Sequence, residues 1–155
     1  EILAEMTALR GERSNEPVLR ATEADAARLA VLYPPASFNV IEFLPFKKRF
    51  ELAVSSGRLY YVERNGIPAA ACHSIAEADG FAVIMGVVTA PAWRKRGLAR
   101  QVVSQLCADL LKENRRPRLM FESDNAITRT FYESLGFESR ARFATIDLIT
   151  QGVHA

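Results

Sequence analysis

Cysteine is nearly absent from this chain. Cys72 and Cys107 are its two thiols, far apart and without a second pair, which excludes a disulfide framework and a zinc site and suits a reducing, cytoplasmic setting. No metal site is expected. No apolar run reaches the roughly 18 residues that a bilayer-crossing helix requires, and the first residues lack the charged, apolar and small-residue sections of a signal peptide, so no membrane partner is expected. An excess of one charge is missing too: 20 basic and 18 acidic residues leave a net charge of +2. Whole-molecule charge therefore gives no reason to expect nucleic acid, and any electrostatic function must be local. Repeats, low-complexity tracts and linkers are likewise missing. What remains is 155 residues, 49% of them hydrophobic, enough for one domain to close a core.

Along the chain, Ile2, Leu3, Met6 and Leu9 before Gly11 are spaced as on a short helix, so residues 1–15 are expected to be a helical N-terminal appendage to a single domain over 16–155. Val18-Leu19-Arg20 reads as a short strand, and Thr22-x-x-Asp25 opens a helix that must stop before Pro34-Pro35. Phe38 and Phe43 precede Pro45, after which Phe46, Phe50 and Val54 mark a helical face ended by Gly57. Asn65-Gly66 is a strong hairpin signal and joins two expected strands, Arg58 to Arg64 and Ile67 to Ile75. The continuous apolar run Phe81 to Val88 suits a central strand covered on both faces. Apolar pairs recurring every four residues from Leu98/Ala99 to Leu110/Leu111 predict a long amphipathic helix. A strand from Arg118 to Ser123, a helix from Ala126 to Leu135 closed by Gly136, and a strand from Phe137 to about Ile149 complete the chain. This order predicts an α/β (α+β) fold, a mixed central sheet with helices on both faces.

The segment with the most chemistry is Val87 to Arg100, a buried strand leading through a basic turn into a helix. The first N–H groups of a helix have no intrahelical partners, and with the helix dipole they attract anions. Gly97 removes a side chain that would hold a phosphate away, Ala99 is small, and Arg94, Lys95, Arg96 and Arg100 add positive charge. Taken alone, the same pattern also describes a solvated basic turn.

Arg94-x-x-Gly97-x-Ala99 resembles the Q/R-x-x-G-x-G/A pyrophosphate-binding signature of the GNAT superfamily of N-acetyltransferases. Asn125-Ala-Ile-Thr-Arg-Thr-Phe-Tyr132-Glu-Ser-Leu-Gly136-Phe137 resembles a later motif of that superfamily, and the resemblance extends over roughly residues 17 to 150. Val88-Thr89-x-Pro91 and the strand before it are most similar to its general acetyltransferase branch. The resemblance implies the GNAT sheet, mostly antiparallel, with acetyl-CoA as cofactor and CoA as product. It implies that backbone groups of Val87, Val88 and Thr89 bind the pantetheine arm. Arg94, Lys95, Arg96, Gly97, Leu98, Ala99 and Arg100 would then hold the pyrophosphate, Asn125 would meet the cofactor, and Tyr132 would direct its hydroxyl at the sulfur. The implied reaction is direct attack of a primary amine on the thioester in a ternary complex. Preorganised N–H donors would stabilise the oxyanion and a phenol the leaving sulfur.

The pattern departs from its relatives where a base is needed. Phe81 to Val88 contains no ionisable residue, and Met120 occupies a position where relatives place a Glu on the fifth strand. An amine of unperturbed pKa near ~10.4 must still lose a proton. Glu122 is the candidate base, with Asp124 and His73 behind it. The aromatic stretch Phe38 to Phe46 lies where the acceptor pocket is shaped in GNAT enzymes, whereas Trp93 and the two cysteines read as packing residues. The acceptor is expected to be a small-molecule or peptide amine, and a homodimer is left open. The alternative is a sensor of the same fold that binds acetyl-CoA or CoA with little turnover, a reading that the missing carboxylate favours.

Overall fold

A computed structural model describes residues 1–11, 16–33 and 46–144. Its strands are β1 (Ile2–Met6), β2 (Leu19–Arg20), β3 (Leu59–Arg64), β4 (Ile67–Ala78), β5 (Phe81–Thr89), β6 (Arg116–Phe121) and β7 (Phe137–Arg142). Its α-helices are α1 (Ala26–Ala30), α2 (Phe46–Ser55), α3 (Leu98–Lys112) and α4 (Ala126–Leu135), with a 3-10 turn before α1 and another at Pro91–Trp93. The described strands form a single seven-stranded sheet in the order β2-β3-β4-β5-β6-β1-β7. Every neighbouring pair is antiparallel except β5 with β6. The expected mixed, mostly antiparallel sheet is therefore present. No described helix is long and apolar enough to cross a membrane.

The largest core lies between one face of this sheet and α3. Val102, Val103, Leu106 and Leu110 of α3 pack with Ile2, Met6, Tyr60, Val62, Ile84 and Leu119, the stripe expected when apolar pairs recur every four residues. On the opposite face a smaller core joins Leu29 of α1 and Phe50, Ala53 and Val54 of α2 to Leu59, Tyr61 and Ala71. Strand alternation sends neighbouring residues to opposite faces, so β3 and β4 are buried twice. The Asn65-Gly66 turn joins them with both residues at positive φ, as a two-residue hairpin turn requires.

The N-terminal segment differs from its expectation. Ile2–Met6 is not a helix but a strand inserted between β6 and β7, with Ile2, Ala4 and Met6 buried on the α3 side. The apolar residues of so short a stretch fit both periods, and here the vacant hydrogen-bonding slot between two strands decides. Glu5 is carried into this slot and is buried, held by Arg116 at 3.2 Å and Arg118 at 2.6 Å. The last strand is described to Arg142. The aromatic residues Phe38 and Phe43 and the expected continuation to Ile149 lie outside the described residues, and the side chain of Phe46 is outside them as well.

Candidate active site

The strand that leads to the basic turn is irregular where the sequence reads as a plain apolar run. Val88 is paired with Ala71 and Met85 with His73, so Gly86 and Val87 together face the single residue Cys72. Such a bulge removes a residue from the ladder and bends the strand. Gly86 adopts φ +57°, and a Cβ placed on it would come within 2.2 Å of the His73 ring. Its carbonyl accepts a hydrogen bond from the Tyr33 hydroxyl at 3.0 Å.

Just before the bulge, β5 and β6 part. They are paired only from Phe81↔Arg116 to Val83↔Arg118, after which β5 stays with β4 while β6 follows β1 through Leu3↔Met120 and Ile2↔Phe121. A gap of about 220 Å³ opens between them, lined by Ile84, Met85, Gly86 and Val87 on one side and Leu119, Met120 and Tyr132 on the other. Val87 and Tyr132 also line a larger cleft of about 510 Å³ on the α3 and α4 face. The two cavities thus meet at these two residues.

The larger cleft is walled by the end of β5, the basic turn and the N-terminal ends of α3 and α4. Lys95 at φ +59° and Gly97 at φ +77° both turn the chain into the left-handed region. Left-handed residues within a turn make a concavity of N–H groups that suits an anion. Gly97 is the N-cap of α3 and supplies no capping side chain, leaving the first N–H groups of α3 to the cleft. A Cβ on Gly97 would meet no protein atom within 4 Å; it would project into open space. Arg94, Lys95 and Arg100 line the cleft, and among the described residues no carboxylate does.

The candidate residues separate by face. Val87, Thr89, Arg94, Lys95, Gly97, Leu98, Ala99, Arg100 and Tyr132 line the cleft. Val88 points the other way, into the α1 and α2 core. Arg96 lies over the Trp93 ring at 4.8 Å and does not line the cleft. Arg94 donates from Nε to the Thr89 carbonyl at 3.2 Å, tying the turn to the strand, and Arg100 donates to Ser134 on α4. Asn125 caps α4, its Oδ1 accepting from the Thr128 N–H at 3.0 Å. Ile127, Thr128, Phe131 and Trp93, the last read from the sequence as a packing residue, also line the cleft. Ile127 is 86% exposed at the cleft lip, a hint available only once its helix is placed.

Tyr132 sits among Phe121, Phe131 and Phe137 with ring centroids 5.8, 5.1 and 5.6 Å away. Burial raises its phenol to about 12, and its hydroxyl has no hydrogen-bond partner among the described residues. The candidate bases fare differently. Glu122 is exposed and lines neither cavity. His73 is fully buried beneath Gly86. Loss of solvent, and secondarily the charge of Arg49, lowers its pKa to about 4, far from the range of an efficient base at neutral pH.

This architecture places the chain among proteins of the GNAT acetyltransferase fold. It resembles a GNAT-family protein of Novosphingobium aromaticivorans at 23% identity and a TM-score of 0.73, over 90% of this chain and 59% of that one. A GNAT-family acetyltransferase of Colwellia psychrerythraea is similar at 15% identity and 0.73, over 89% of this chain and 52% of that one. The chain therefore spans little more than half the length of these two relatives. It is also similar to the aminoglycoside N-acetyltransferase AAC(6')-Iy in complex with CoA, at 14% identity and 0.65, over 91% of this chain and 99% of that one. Residues 63–145 match the family described as FR47-like protein, and the chain belongs to that family. No curated protein matches the sequence.

Proposed function

We propose that this chain is an N-acetyltransferase that binds acetyl-CoA in the cleft between α3 and α4 and passes the acetyl group directly to a primary amine in a ternary complex. The observation that carries the reading is continuity. One cleft runs from a cationic turn with uncapped N–H groups to an unbonded tyrosine hydroxyl at a gap in the sheet. The residues fit the cofactor. Arg94, Lys95 and the open space at Gly97 suit a diphosphate, and the apolar walls Val87, Leu98 and Phe131 suit a pantetheine arm. That AAC(6')-Iy, a protein of like fold, is in complex with CoA supports CoA as the ligand.

Acetyl-CoA supplies the acetyl group as an activated thioester. The bulge at Gly86 and Val87 would place strand N–H groups, released from the ladder, where negative charge develops on the carbonyl oxygen. Tyr132 would donate its hydroxyl hydrogen to the departing sulfur. Its pKa of about 12 exceeds the ordinary thiol value of ~8.5, so the phenol stabilises the sulfur as a hydrogen-bond donor and keeps its proton. Among the described residues no carboxylate lines either cavity, so the proton released by the amine would pass to solvent, with Glu122 acting only through water. That same feature favours the second reading, a CoA sensor with little turnover. Calorimetry with CoA, together with release of free thiol from acetyl-CoA across a panel of amines, separates the two. Saturable cofactor binding without turnover on any amine establishes the sensor. For the enzyme, Tyr132→Phe lowers kcat about a hundredfold while changing CoA affinity less than about threefold. An unchanged kcat removes Tyr132 from the mechanism.

A further inference from the structure

Resting on that acetyl-transfer reading, we infer that the acceptor is a peptide amine followed closely by acidic side chains, bound on the sheet face opposite the cofactor cleft. The gap between β5 and β6 is lined by residues of both faces: Ile84, Leu119 and Tyr132 pack with the α3 core, whereas Met85 and Met120 alternate to the other side. It therefore connects the two faces of the sheet. On the far face α1 and α2 pack on β3 and β4, and Met120, at 49% exposure, marks where the gap reaches solvent.

Beyond Met120 this face turns strongly basic. Strand alternation puts Arg118 and Arg116 in the same row as Met120, and register places Glu5 opposite Arg118. Arg116, Arg118 and Arg140 converge on the single carboxylate of Glu5 at 3.2, 2.6 and 3.8 Å. Arg140 also meets Glu138 at 3.3 Å, which Arg10 approaches at 3.4 Å. Four arginines thus share two glutamates, and Arg116 and Arg140 keep 51% and 44% of their side chains exposed. The surplus guanidinium donors face solvent along the path from the gap. Successive same-face positions on a strand are about 7 Å apart, and an extended peptide advances about 3.4 Å per residue. An amine seated at the gap therefore brings its second and third side chains to the arginines. Charge-assisted hydrogen bonds there favour carboxylates and reject lysines. The carboxylate of a single α-amino acid lies too close to its amine to reach.

The test compares the peptide amides Ala-Asp-Glu and Ala-Lys-Lys, with an uncharged alkyl amine as reference, in a thiol-release assay with acetyl-CoA. The expected result is a kcat/KM for the acidic peptide at least tenfold above that for the basic one, shrinking as salt is raised. Arg116→Gln and, separately, Arg140→Gln, both at exposed positions, reduce that ratio severalfold without changing CoA affinity by calorimetry. Turnover of the alkyl amine with equal use of both peptides, or a preference untouched by both variants, overturns this inference alone. Absence of turnover with any amine, beside intact CoA binding, overturns the acetyl-transfer reading and this inference with it.

Discussion

Gly86 is the position where the sequence of the central strand is most tightly constrained, and Gly86→Ala tests that constraint quantitatively. The added Cβ would sit 2.2 Å from His73 Cε1 and 2.6 Å from Nδ1. The ring is fully buried, so either the bulge or the ring must shift. Overpacking of this kind costs about 1 to 3 kcal/mol. Holding an alanine at φ +57° adds roughly 1 to 2 kcal/mol. A central value of about 3 kcal/mol corresponds to a fall in Tm of roughly 6 to 12 °C for a domain of this size. The assay is urea and thermal unfolding followed by circular dichroism, with His73→Ala and the double variant completing a cycle. In the double variant the new methyl enters the space the ring vacates, and the clash disappears while the φ penalty stays. The double variant should then be more stable than the sum of the singles predicts by about 1 to 3 kcal/mol. Additivity within about 0.5 kcal/mol, or a single variant as stable as the parent, refutes the packing of His73 under the bulge.

Two further outcomes follow from the same geometry. Gly97→Ala places a methyl in the open space at the α3 N-cap and holds it at φ +77°. It should cost roughly 1 to 2 kcal/mol of stability and weaken CoA binding at least tenfold by calorimetry, and unaltered affinity would show that no phosphate sits there. His73 has a folded pKa of about 4 against an ordinary histidine value of 6.5, so the unfolded chain takes up its proton first. Stability is unaffected by this group above pH 6.5 and falls progressively as pH drops from 6.5 toward 4, by roughly 2 to 3 kcal/mol at pH 4.5. His73→Ala should flatten that part of the urea-stability profile, and an identical slope in the variant contradicts the buried neutral ring.

The helices and the hairpin were legible because their signals are local. The four-residue recurrence from Leu98 to Leu111 needs only α3 itself to be read, and Asn65-Gly66 needs only two residues. The N-terminal strand was not, since Ile2, Leu3 and Met6 satisfy a helical spacing as well as Ile2, Ala4 and Met6 satisfy a strand spacing. What selects the strand is the pair of open edges on β6 and β7, more than 100 residues later in the chain. Within the candidate site the turn from Arg94 to Ala99 was legible from charge and glycine. Of the gap residues, Met120 was reached only through the resemblance, and Met85 was not reached, because apolar side chains carry no mark of whether a neighbouring strand stays or leaves. Gly86 was the available signal: a lone glycine inside a strand pattern marks a bulge or a close approach, and here it marks both.

The position of β1 bears on the site as well as on the fold. The gap lies where β6 stays paired with β1 and β5 stays paired with β4. Were β1 absent, β6 would have an open edge and its backbone groups would need other partners. Glu5 strengthens the arrangement, since a buried carboxylate that lost Arg118 and Arg116 would be left as an uncompensated charge. The N-terminal strand thus closes the far edge of β6 and, through Glu5, anchors the arginines that flank the gap's far mouth, although none of its residues lines either cavity.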